Sequence, residues 1–189
     1  MTDGPPPISA FTSAERRLIA RLTTPRLIQA FLNGLPYNRE PKPLGETLRS
    51  FRGVMRHQTA HCLEAAIAAA VILEQHGYPP LVLSFESIDK LDHVIFVYRE
   101  RGRWGSIARS RDPGLHGRLP VFATPRALAA SYMDPYVDFT GRVTAQFRRG
   151  ERGGELLDFL ATLRGHLHVE LGAAAGMAEF VVFEAGNDR

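Results

Sequence analysis

Two residues stand in the order that acyl-transfer chemistry needs: Cys62, the single cysteine, and His93 downstream of it. A cysteine attacks a carbonyl as its thiolate, and a nearby imidazole holds the proton and returns it to the leaving amine. Cys62 opens the run Cys-Leu-Glu-Ala-Ala-Ile-Ala-Ala-Ala-Val-Ile-Leu-Glu-Gln. In a first helical turn, free backbone N–H groups and the helix dipole favour a thiolate. A lone cysteine on an apolar helix is nevertheless most often a small buried hydrophobe, so both readings stand. His93 follows Asp92 and begins the apolar run Val94-Ile95-Phe96-Val97. A histidine at a strand end is more often structural than catalytic. The sequence of parts (thiol at a helix start, a strand, then an imidazole opening a hairpin) is what raises the catalytic reading.

These residues need elements to position them. Thr12 and Ser13 with Glu15 predict a helix start, and Thr24-Pro25 a second one running through Leu32 to Asn33-Gly34. Asn38 to Gly45 reads as a loop, and a short helix is expected from about Glu46 to Val54. Thr59 is a candidate cap for the helix Cys62 to Gln75, which is apolar nearly all round and so belongs at the centre of the fold. His76-Gly77 and Pro79-Pro80 end it. Strands are expected at Leu81 to Phe85, His93 to Tyr98 and Trp104 to Ser110, the last two joined by a turn at Arg101-Gly102. A helix from Thr124-Pro125 to about Tyr132 follows a loop. Asp138 to Phe147 and Glu179 to Glu184 have strand character, and Glu155 to Leu163 has helical spacing.

Thr47 to Ser50, His61-Cys62-Leu63-Glu64-Ala65-Ala66 and Gln75-His76-Gly77-Tyr78-Pro79-Pro80 resemble the transglutaminase-like superfamily. His93-Val94, Tyr98 and Gly102-Arg103-Trp104 resemble that family's histidine strand, turn and tryptophan strand. The likeness covers about Thr47 to Gly114, roughly a third of the chain. It implies an α+β, papain-type fold: N-terminal helices, and a central buried helix packed on an antiparallel sheet. By position it makes Cys62 the nucleophile and His93 its base. Residues 1–45 are expected to be helices and a loop packing on a core of residues 46–189, the whole forming a single domain. Gly150 to Gly154 is the best linker candidate.

The family's orienting aspartate falls at Ala108, which cannot hold an imidazole. A two-residue turn at Arg101-Gly102 would pair Arg99 with Trp104 and, continued, His93 with Ser110. Asp112 is then a diagonal neighbour and precedes Pro113 as the family's aspartate precedes its proline. Asp112 is therefore the first candidate for the third member, with Ser110, Asp92 or no residue as the alternatives. Gln58 is a candidate oxyanion donor four residues before the cysteine, against a backbone-capping role. His57 and His61 have the H-x-x-x-H spacing of a zinc helix, but Gln58 stands where the glutamate base would be. His166 and His168 have no companion ligands nearby. Neither a metal nor a cofactor is expected.

At 44% hydrophobic, a chain of 189 residues can bury a core. Its longest apolar stretch, Ala65 to Leu73, is too short for a membrane span, and Met1 to Pro7 does not read as a signal peptide. A cytoplasmic protein is the expectation. The formal charge of +3 is spread over scattered arginines, which speaks against nucleic acid as partner. The leading expectation is a cysteine amide or peptide hydrolase, or an acyltransferase, acting on a peptide, isopeptide or other amide. The alternative, suggested by Ala108, is a domain of the same fold that binds or scaffolds without turnover.

Overall fold

The computed structural model describes residues 5–40, 47–87, 92–136, 145–146 and 179–180. Helix α1 (Ser13–Arg21) opens with the capping box foreseen from Thr12 and Glu15: Thr12 N–H donates to Glu15 Oε2 at 2.7 Å, and Glu15 N–H to Thr12 Oγ1 at 3.3 Å. Helix α2 (Pro25–Asn33) has the Thr24 cap with proline in its first turn. Helix α3 spans Phe51–His57, later than the expected 46–54. The reason lies upstream: the Thr47 hydroxyl and the Arg49 N–H both donate to Glu64, so the chain is still extended there and Ser50 becomes the cap.

Helix α4 (Cys62–Glu74) is the apolar helix. Its cap position is His61, not Thr59, whose hydroxyl instead accepts from Arg49. Helix cannot start earlier because Ala60 is held in a short parallel bridge with Tyr37, its N–H on Pro36 and its carbonyl on Asn38. Gly77, at φ 82°, closes the helix, and Tyr78 N–H returns to the Leu73 carbonyl.

The sheet is an antiparallel meander in the order β4-β3-β2-β1: β1 (Leu81–Ser87), β2 (His93–Glu100), β3 (Arg103–Ile107) and β4 (Arg118–Phe122). Two-residue strands β5 (Ala145–Gln146) and β6 (Glu179–Phe180) pair with β1, β6 in parallel. Arg101 and Gly102 both take positive φ, the turn that matches strand twist, and Arg99 faces Trp104 as expected. β4 falls where the sequence reads as loop. Pro120 at its centre hides it, and as an outer strand of the meander it tolerates a residue without an N–H.

The β2 run is apolar at nearly every position because both faces are covered. Val94, Phe96 and Tyr98 join Val82 under α1–α4, in a cluster that runs from Phe11 to Ile107. Ile95 and Val97 join Leu83 and Phe85 beneath helix α5 (Pro125–Ala130), with Leu115, Leu128 and Tyr132. The architecture is therefore α+β, with a buried helix on an antiparallel sheet. No helix among the described residues is long and apolar enough to cross a membrane. The expected linker at Gly150 to Gly154, the helix at Glu155 to Leu163, most of the Asp138 to Phe147 and Glu179 to Glu184 strands, and His166 and His168 lie outside the described residues.

Candidate active site

Three elements converge on Cys62. The first is α4, which ends in the thiol. Glu64, fully buried in its first turn, ties that end down: it accepts from Asn38 Nδ2 (3.1 Å), the Thr47 hydroxyl (2.8 Å), His61 N–H (3.1 Å) and Arg49 N–H (3.3 Å). Arg49 Nε also stands 3.8 Å from this carboxylate. A buried carboxylate held by that many donors fixes a helix start rather than merely capping it.

The second element is the start of β2. Strand alternation turns His93 to the Phe85–Ile95 face, away from the body of α4. Its ring stacks on Phe85 (6.2 Å between centroids, 29° between planes) and sits 6.1 Å from Tyr132. Thiol and ring meet at the sheet's edge. The β2–β3 ladder stops at Phe96–Ile107, short of His93, so no strand covers the opening of β2 on that side. Into this gap comes the sulfur, beside the His93 ring and the Val94 N–H.

The ladder stops because Gln29 of α2 takes over. Its side-chain oxygen accepts from Ala108 N–H (3.0 Å) and its amide donates to the Ala108 carbonyl (2.9 Å), imitating a strand and drawing the chain off the sheet. The expected pairing of His93 with Ser110 therefore does not form. Ser110 is buried and its hydroxyl accepts from Asp112 N–H.

The third element is the Asp112-Pro113-Gly114 turn, and here the expected roles change. His93 Nε2 lies 2.8 Å from the Leu115 carbonyl. A carbonyl only accepts, so Nε2 carries the proton and Nδ1 is left as the ring's working nitrogen. Leu115 is presented by a short 3-10 turn, Pro113–Leu115, closed by its N–H on the Asp112 carbonyl at 3.1 Å. The orienting partner of His93 is thus a backbone oxygen of the turn that Asp112 begins. The Asp112 carboxylate faces Arg111 Nε at 3.4 Å, with 43% of its side chain exposed. The proposed third member is corrected accordingly. Asp92 is exposed at the strand's start.

Gln58 is not at the sulfur. It caps α3 in the left-handed region (φ 53°), exposed, and its amide donates to Met55 O at 2.6 Å. The capping role weighed against oxyanion donation is the one it fills.

A second imidazole, missed as a site residue, does touch the thiol. The His61 ring lies against the Cys62 side chain, and its Nε2 lies 2.8 Å from the Thr47 carbonyl. Glu40 and Glu64 carboxylate oxygens stand 3.4 and 3.5 Å from the same nitrogen. The signal was in the sequence, since a residue next to a nucleophile at a helix cap can hardly be remote from it. In the sequence alone its spacing from His57 imitates a zinc motif instead. Among the described residues no cluster of ligating side chains could hold a metal ion.

The electrostatics follow from these contacts. Burial alone would raise the Cys62 thiol. The His61 and His93 hydrogen bonds, the charge of His93 and the Val94 N–H outweigh it and bring the group down to about 6. Burial likewise disfavours charge on His61, but the thiol, the Thr47 carbonyl and the Glu64 charge overcome it and hold the ring up at about 9. Tyr37, half-buried beside Ala60, is pushed up to about 12, first by burial and then by the nearby Cys62. Arg109 lies over its ring, 5.9 Å from the centroid. Such a site can form a thiolate at neutral pH and deliver a proton beside it. No protein-family model and no curated protein matches this chain.

Proposed function

We propose that the chain is a cysteine-dependent amide or peptide hydrolase, or an acyltransferase, of transglutaminase-like, papain-type architecture. The observation that carries this reading is the Cys62 sulfur at a helix start, beside the His93 ring and the Val94 N–H. The thiolate attacks the acyl carbon, and His93 in its protonated form gives its proton to the leaving amine. The thioester then passes to water or to a second amine, and His93 recovers a proton from that nucleophile. The Leu115 carbonyl keeps the ring's orientation through these steps, which answers the absence of an aspartate at Ala108.

A binding or scaffold domain without turnover is the competing reading, favoured by Ala108 alone. Activated esters and peptide anilides, followed by intact-mass and peptide mapping, separate the two. A thioester on Cys62 that builds up, and is lost in Cys62→Ala and slowed in His93→Ala, supports catalysis. A chain that stays unmodified under conditions that acylate free cysteine refutes it.

A further inference from the structure

A two-residue account of the site leaves His61 without a task, yet this ring is held as firmly as His93. Its side chain is 11% exposed, and Nε2 faces acceptors only: the Thr47 carbonyl at 2.8 Å, Glu40 Oε1 at 3.4 Å and Glu64 Oε1 at 3.5 Å. The ring also lies against the Cys62 side chain. The two carboxylates beside Nε2 favour the ring with both protons. The sulfur, for its part, receives the His61 ring, the His93 ring and the Val94 N–H.

We infer that His61, kept as an imidazolium by Glu64 and Glu40, is the standing counter-ion of the Cys62 thiolate, and that His93 alone moves protons during turnover. The inference rests on the nucleophilic role proposed above for Cys62. Among the described residues, the charged and titratable groups around His61 are Glu64 from α4, with Arg49 3.8 Å behind it, Glu40 from the segment after Tyr37, and Cys62 itself. In the first half-reaction a C–S bond forms, the C–N bond breaks, and the amine leaves with the His93 proton. In the second, water attacks the thioester, His93 takes one of its protons, and the thiolate departs. His61 ends each half with the protons it began with, so it is a positioning residue.

The test is an ultraviolet titration of the thiolate in the full chain, as wild type, His61→Gln and His93→Gln. His61→Gln should raise the midpoint by a pH unit or more; for one unit the thiolate fraction at about pH 6 falls about fivefold and the higher basicity returns about threefold, so iodoacetamide labelling there slows about twofold. His93→Gln should move it less while abolishing thioester turnover. A larger shift in His93→Gln than in His61→Gln overturns the inference and leaves Cys62 as nucleophile. A wild-type thiol that titrates like free cysteine removes the proposed function itself. Should His61→Gln unfold, nitrogen NMR of the wild-type ring decides: both ring nitrogens protonated throughout thiolate formation supports the inference, and loss of one in step with it refutes it.

Discussion

Replacing Glu64 with glutamine removes a charge and almost no volume, so its effect isolates the polar network at the start of α4. Oε1 accepts from the Thr47 hydroxyl and the Arg49 N–H, and Oε2 from the His61 N–H, with Asn38 Nδ2 between the two. A glutamine offers one oxygen. Its NH₂ group must then face either the Arg49 or the His61 backbone N–H, leaving a buried donor against a donor, at a cost of about 1–3 kcal/mol. Arg49, 3.8 Å away, also loses its charged partner. Together these place the loss at about 3–5 kcal/mol, the range for breaking a buried ion pair. In a domain of this size that is a fall of about 10 °C in Tm. Urea unfolding with an unchanged m-value is the assay. A loss below about 1 kcal/mol would refute the reasoning, since surface ion pairs already reach that level.

Gln29→Ala removes both hydrogen bonds to Ala108 and should cost about 1–3 kcal/mol, with faster amide exchange at Ala108. Unchanged exchange would mean that β3 ends there for another reason. Glu15, nearly buried, is raised by burial, but the Arg52 hydrogen bond and the Thr12 N–H more than offset this and lower it below the usual glutamate value. A depressed carboxyl contributes stability above its unfolded pKa and loses it as pH falls through the folded one. Glu15→Gln should therefore flatten part of the acid limb of urea midpoints measured against pH; an identical acid limb would contradict this.

The elements that position the site were legible in short-range signals. Thr12, Thr24 and Thr124 announced three helix starts, the alanine-rich run announced the central helix, and Arg101-Gly102 fixed the β2–β3 register through Arg99 and Trp104. What stayed hidden was set by contacts distant in sequence. Gln29 detaches the chain at Ala108, and that one side chain converts the expected His93–Ser110 pairing into an open edge where sulfur and ring meet. Asp112 was placed by extending a ladder that stops early. The group that orients His93 is a main-chain carbonyl, and a backbone atom leaves no mark in a sequence. The part Glu64 plays is equally hidden, because its partners Asn38, Thr47 and Arg49 lie on other segments.

The central claim is that His61, His93 and the Val94 N–H make Cys62 a thiolate near neutrality, and its alkylation rate against pH tests that most directly. Lowered from 9.0 to about 6, the thiol is about half ionised at pH 6, where an ordinary one is about 0.1% ionised. The lower basicity takes back about 15–30-fold of that roughly 500-fold advantage, leaving Cys62 about 15–30 times faster than a thiol of pKa 9.0. At about pH 9 the order should invert, with Cys62 about tenfold slower, because the loss of about 15–30-fold from lower basicity then outweighs an ionisation advantage of about twofold. A rate that crosses that of an ordinary thiol and levels off above about pH 7 is the expected result. One that climbs to pH 9 in parallel with free cysteine would contradict the account.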